Sequence, residues 1–208
     1  MSLNMFDKIL YINLEHRKDR ENEILSELKK LKTDKNKVKK IEAFYTPFNG
    51  HAGCVLSHIK ALDYAIKNSY QNILILEDDC QFIKDIDFID YSIYFFFKII
   101  KKWDVFLLGG QFENLEKTKY PFVYKVNNSF RSHAYAINSN YFKSLKNHFE
   151  KTYDILKVIT LESEFCEYAL DRRWQELQRK DLWYTLENSI ASQREGYSDI
   201  HFGYKKRR

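Results

Sequence analysis

Three consecutive carboxylates, Glu77-Asp78-Asp79, directly follow the apolar run Asn72 to Leu76. Acids that close raise the cost of ionising one another unless something compensates them. In extended chain, alternate residues share a face, which sets Glu77 and Asp79 together and Asp78 opposite. Two hard oxygen ligands on one face suit Mn²⁺ or Mg²⁺, a cation that keeps waters and takes up a substrate's phosphates. The competing reading is a strand end capped by solvated acids. A second apolar run, Lys8 to Leu14, leads into Arg17 and Arg20, with Asn13 at its end. The planar guanidinium fork suits bidentate contact with phosphate oxygens. Beside a carboxylate-bound cation, Asn13, Arg17 and Arg20 would hold a nucleotide diphosphate between metal and guanidinium.

Gly50-His51-Ala52-Gly53 precedes a stripe of Cys54, Ser57, His58, Ala61, Leu62 and Ala65 at helical spacing. Two glycines ahead of a helix let the backbone approach a ligand, and the helix start offers free N–H groups to an anion. On that stripe Cys54 reads as a packed thiol, not a nucleophile, and His58 as a buried, hydrogen-bonded histidine. A late loop, Gln193 to His201, carries Ser198, Asp199 and His201, which would complete a metal or substrate site. Glu162, Glu164 and Asp171 are carboxylates on a preceding helical segment, and one of them is a candidate general base.

The elements that position these groups follow from hydrophobic spacing. Lys8 to Leu14, Val38 to Tyr45, Asn72 to Leu76 and Asp104 to Leu108 read as strands, the near-continuous apolar ones buried on both faces. Helices are expected where Ile24, Leu25, Leu28 and Leu31 recur, then over Gly53 to Lys67, Asp90 to Lys102, Asn140 to Phe149 and Leu161 to Gln178. Phe122 to Val126 and His133 to Ile137 read as strands of a hairpin or meander, and the chain after Lys180 as irregular. The alternation predicts an α/β fold, a mostly parallel sheet in the first half covered by helices on both faces. In such sheets the ligand lies at the carboxyl ends of the strands, which singles out the loops after Leu14, Leu76 and Leu108.

With 208 residues, 44% of them hydrophobic, and only two prolines, the chain can bury a large core. No apolar run reaches the roughly 20 residues of a membrane span. Cys54, Cys80 and Cys166 are odd in number and lack metal-type spacing, which suggests a reducing, cytoplasmic setting. Of the net charge of +5, the last four residues carry +4 and Lys29 to Lys40 another +6, so the remainder is net −5. That distribution disfavours a nucleic-acid face, which would interleave base-stacking aromatics with basic residues in the body. The basic tail would make at most a weak contact with an anionic membrane surface.

The ordered segments I-N-L-x-x-R-x-x-R at Ile12 to Arg20, G-x-x-G-C-x-L-S-H at Gly50 to His58, L-E-D-D at Leu76 to Asp79 and Q-x-x-x-x-S-D at Gln193 to Asp199 together resemble glycosyltransferase family 25. That family includes lipopolysaccharide and collagen galactosyltransferases. The resemblance spans about residues 8–200 and implies a single GT-A-like domain over 1–208, its N-terminal half Rossmann-like, with 201–208 a basic tail. It implies transfer of a hexose, galactose by family usage, from a UDP-sugar to a hydroxyl of a glycan or hydroxylysine-type acceptor, with inversion. Glu77 and Asp79 then stand at the metal-binding D-x-D position, and Asp78 beside the nucleotide. Asn13, Arg17 and Arg20 also fall at the nucleotide. Gly50, Gly53, Ser57 and His58 flank the donor pocket, and Ser198 and Asp199 close it. Many relatives carry an aspartate where this chain has Ser163, which moves the base to Glu162 or Glu164. On this reading Asp79→Ala abolishes metal-dependent turnover. The alternatives are a catalytically degenerate relative that binds nucleotide-sugar or glycan and, from another class, a basic nucleic-acid-binding protein.

Overall fold

The computed structural model describes residues 2–200 and 203–205. Its centre is an eight-stranded sheet built from β1 (Lys8–Asn13), β2 (Val38–Glu42), β3 (Asn72–Glu77), β5 (Val105–Leu107), β6 (Gln111–Lys117), β7 (Val123–Phe130), β8 (Ala134–Asn138) and β9 (Trp183–Leu186). The spatial order is β2-β1-β3-β8-β5-β9-β7-β6. Pairings β1–β2, β1–β3 and β5–β9 are parallel, whereas β8 runs antiparallel to both of its neighbours and β7 to both of its own. The short strands β4 (Cys80–Phe82) and β10 (Ala191–Gln193) pair antiparallel beside it, as do β11 (Gly196–Ser198) and β12 (Gly203–Lys205).

Why the strand sequences are continuously apolar is visible in the packing. Alternate residues of β1 and β3 enter opposite cores: Ile9, Tyr11, Leu74 and Leu76 on one face, Leu10, Ile12, Ile73 and Ile75 on the other. The first face is covered by α1 (Lys18–Lys30), through Ile24 and Leu28, and by α3 (Ile86–Ile99), through Ile89, Ile93 and Phe96. The second is covered by α2 (Gly50–Lys67), through Val55, Ala61, Leu62 and Ala65, and by α4 (Phe142–Leu156), through Phe142, Leu145 and Phe149. Side-chain alternation in a strand makes this sharing obligatory once helices lie on both faces.

Several expectations are corrected. The Val123–Phe130 and Ala134–Asn138 strands do not form a hairpin: left-handed Arg131 (φ 72°) turns the chain between them, and they lie three positions apart in the sheet, with β5 and β9 between them. The single helix expected over Leu161 to Gln178 is broken into α5 (Glu162–Phe165), a 3-10 turn, α6 (Leu170–Arg173) and α7 (Gln175–Gln178), because Ala169 is extended. The chain after Lys180 is not irregular, since Trp183–Leu186 lies inside the sheet between β5 and β7. The strand Gln111–Lys117 was not legible either. It is a mostly exposed edge whose charges guard an unpaired border, so it carries no apolar alternation.

The basic stretch Lys29 to Lys40 is tied to the body of the fold. Lys40 pairs with Glu21 and Lys30 with Glu27, while Lys37 donates to the carbonyls of Asn4 and Phe6. Of the expected basic tail, Gly203–Lys205 is a strand, and His201, Phe202 and residues 206–208 lie outside the described residues. No helix among the described residues is long and apolar enough to cross a membrane.

One close approach sets a packing limit. A Cβ added at Gly109, just after β5, would lie 1.9 Å from the carbonyl oxygen of Ala191. Gly109→Ala is therefore expected to destabilise the fold by about 3 kcal/mol, as overpacking does when the obstructing atom is backbone. The midpoint of urea unfolding checks this, and an unchanged midpoint would show that the strand-to-strand approach yields freely.

Candidate active site

The chain leaves β1, crosses through α1 on one face to β2, then returns through α2 on the other face to β3. The two crossovers diverge from β1, so a crevice opens at the carboxyl ends of β1 and β3, where open α/β sheets bind ligands. A cleft of about 620 Å³ occupies that place. Asn13 ends β1 and Glu77 ends β3. Because β8 is antiparallel, the segment leading into it, Arg131 to Ser132, reaches the same edge.

Strand geometry ends at Glu77, and Asp78-Asp79 form a turn, so the expected alternation of the triplet does not continue. Glu77 accepts a hydrogen bond from Ser132 Oγ at 2.5 Å and lies 3.5 Å from His58 Nε2. Burial pushes its carboxyl up, but His58 and Ser132 outweigh that and hold it below the ordinary range. Asp78 accepts from Asn13 Nδ2 and from Arg20, both at 2.9 Å. Asp79 is 3.8 Å from Arg20 and accepts from Gln193 Nε2 at 3.0 Å. Burial first, then the Glu77 and Asp78 charges, push the Asp79 carboxyl up to about 7. Arg20 thus faces a crowded group of acids, a concentration of carboxylate oxygens that suits a divalent cation. Asn13 points the same way: its Oδ1 is buried and accepts no hydrogen bond among the described residues, while its Nδ2 is fully used.

Most residues expected at the nucleotide do line the cleft: Asn13, Arg20, Gly50, Ser57, His58, Asp78, Ser198 and Asp199. Two do not. Arg17 points to Asp19 and Asp199, which raise its pKa, and so ties the start of α1 to the late loop. Gly53 faces inward, where a Cβ would stand 2.5 Å from the Phe44 carbonyl oxygen. Both glycines lie within the first turns of α2, not ahead of it, and Gly50 packs on Ile200. Their smallness admits the chain's own backbone. Asn49 caps the helix by accepting from the Ala52 N–H.

The late loop is held across the cleft by Arg17 to Asp199 and by Arg20 to the Tyr197 carbonyl. Its other end is bonded from the Arg194 N–H to the Asp79 carbonyl. Arg194 also reaches Glu27, a buried acid of α1 that accepts the Phe82 N–H. Glu27 was not foreseen; a carboxylate on the buried stripe of a helix is the signal that could have found it.

Among the acids expected to act as base, Glu164 is exposed and does not line the cleft. The Glu162 side chain lies outside what the structure describes. Asp171, the third carboxylate of that segment, does line the cleft and accepts the Arg131 N–H at 2.8 Å. Burial raises its pKa, the Arg131 bond lowers it and Glu77 raises it further, for a net rise above 3.8. The helix break at Ala169 and the left-handed Arg131 are what place it there, a local strain of the kind that collects at functional sites.

The sequence of residues 34–168 matches the family described as Glycosyltransferase family 25 (LPS biosynthesis protein). No curated protein matches the chain in sequence. In structure it is similar to A197 from STIV, at 15% identity and a TM-score of 0.50 over 95% of this chain and 92% of that one. Lower-scoring likenesses are a glycosyltransferase involved in the glycosylation of the major capsid of PBCV-1 (10% identity, 86% and 92% coverage, TM-score 0.45) and apo UDP-glucose pyrophosphorylase (9% identity, 86% and 72% coverage, TM-score 0.49).

Proposed function

The chain belongs to glycosyltransferase family 25, and from that premise we propose that it moves a hexose, galactose by the family's usage, from a UDP-sugar to a hydroxyl of a glycan or hydroxylysine-type acceptor, with inversion. Its α/β fold is GT-A-like. The observation that carries the reading is the Glu77–Asp79 triplet opening into the β1–β3 crevice, in one cleft with Asp171. Asn13 and Arg20 hold Asp78 in place, so that Asn13 Oδ1 remains to orient the donor. Arg20 also stands where charge builds on the departing UDP, the placement that electrostatic catalysis requires. Asp171 takes the proton from the acceptor hydroxyl as that oxygen attacks the anomeric carbon from the face opposite the leaving group. The late loop, through Ser198 and Asp199, covers the donor and keeps water out. Glu77 and Asp79 are the residues that would hold Mn²⁺ or Mg²⁺, which when bound neutralises charge on the diphosphate.

A UDP-release assay over a panel of UDP-sugars, with Mn²⁺ and with EDTA, tests this. Release is expected with one preferred donor and is lost on chelation. Binding of UDP without release from any donor, with acceptor hydroxyls supplied, would instead support the non-catalytic relative.

A further inference from the structure

We infer that Cys54, His58 and Glu77 form a second metal site, one selective for a borderline-soft cation, Zn²⁺. Cys54 and His58 are four residues apart on α2, so they face the same way one turn apart. Across from them stands the Glu77 carboxylate at the end of β3, and one ligand atom from each of the three lies within 4.8 Å of the others. The set mixes thiolate, imidazole and carboxylate, which zinc accepts together and Mn²⁺ or Mg²⁺ does not favour.

The spacing is close to that of a loaded site. Two ligands at zinc bond lengths of about 2.0–2.1 Å in tetrahedral geometry stand about 3.3 Å apart. His58 Nε2 and Glu77 are 3.5 Å apart. The Cys54 sulfur lies within 4.8 Å of both, against about 3.6 Å in a loaded tetrahedral site, so closing the triangle takes about 1.2 Å from each partner at that bound, within a side-chain adjustment. The outer shell is already built. His58 Nδ1 is bonded to the Tyr135 hydroxyl at 2.6 Å, which commits Nε2 to the metal side, and its ring is enclosed by Tyr135 and Phe149. Ser132 donates to Glu77. Partners of this kind orient ligands in zinc sites. All three residues line the cleft, which supplies an entry path and leaves a fourth position open to water or substrate. On binding, the Cys54 S–H bond breaks as the sulfur–zinc bond forms, and the proton passes to solvent. Zinc there engages Glu77, so on the reading of function given above it competes with the catalytic cation.

The full chain is titrated with Co²⁺, a spectroscopic stand-in for zinc, and with Zn²⁺ by competition. The wild type is expected to show the near-ultraviolet band of a thiolate–cobalt bond, displaced by Zn²⁺. Cys54→Ser and His58→Gln are each expected to lower Zn²⁺ affinity by more than about 100-fold. Cys54→Ser also removes the band, whereas Asp79→Ala and Cys166→Ser retain it. A wild type without the band, or a band that follows Cys166, would overturn the proposal. Should Cys54→Ser fail to fold, alkylation of the wild type mapped by mass spectrometry decides the matter: Zn²⁺ must slow labelling of Cys54, and equal labelling with and without zinc sinks the site. None of these readouts requires transferase activity, so their failure is separable from failure of the functional reading.

Discussion

Asp79→Ala is expected to lower Mn²⁺-dependent release of UDP by about 10³-fold, the rate equivalent of several kcal/mol of charge stabilisation by a bound cation. Asp79 is the member of the triplet best placed for this effect. Asp78 is committed to Asn13 and Arg20, and Glu77 to Ser132 and His58, whereas Asp79 accepts from the neutral Gln193 amide and meets the Arg20 guanidinium at 3.8 Å. The same substitution should shift stability in the opposite direction as pH rises. Burial and its acidic neighbours push Asp79 up to about 7 from 3.8, so the folded state keeps a proton that the unfolded chain has already released. Wild-type stability without metal is therefore eroded as pH rises from about 4 to about 7, and the variant escapes that loss. Thermal melting of both proteins in EDTA should show the Tm difference moving in the variant's favour across that window, and Mn²⁺ should raise the wild-type Tm alone. Turnover close to wild type would remove Asp79 from the catalytic machinery. A Tm difference independent of pH would show that its carboxyl is not strained by its surroundings.

Asp171→Asn is expected to reduce kcat by about 10²–10⁴-fold, the usual contribution of a positioned general base, while leaving the donor KM within a few fold. The carboxamide keeps an oxygen to accept the Arg131 N–H, so the local fold should survive. The pH profile supplies a second readout. Because burial, opposed by the Arg131 bond and reinforced by Glu77, raises the pKa of Asp171, the acid limb of kcat/KM should fall with a midpoint above the ordinary 3.8. As pH drops through that midpoint the base becomes protonated and activity is lost. Glu164→Gln, on an exposed side chain away from the cleft, should leave both kcat and the profile unchanged. Loss in Glu164→Gln with retention in Asp171→Asn would return the base to the acid first expected from the motif.

The contrast between those two acids separates local from tertiary information. Strands β1 and β3 were readable because a strand buried on both faces must be apolar at nearly every position, and a run that stops abruptly at acids marks the strand end. The α/β class, the helices on both faces and the crevice at the carboxyl ends follow from that pattern alone. The acid that enters the cleft could not be read this way. Glu162, Glu164 and Asp171 look equivalent along one helical segment, and only the extended Ala169 and the left-handed Arg131 turn Asp171 inward. Likewise Glu77 and Asp79 share a strand face on paper, yet the chain turns after Glu77. Glu77 then joins His58 from α2 and Ser132 from the approach to β8, while Asp79 joins Arg20 and Gln193. Segments far apart in sequence decide these partners, and each partner sets the charge its acid can hold. Residue type and spacing determined that carboxylates would gather at the end of β3; packing across the sheet edge decided which of them would be neutralised by the protein and which left with charge to share.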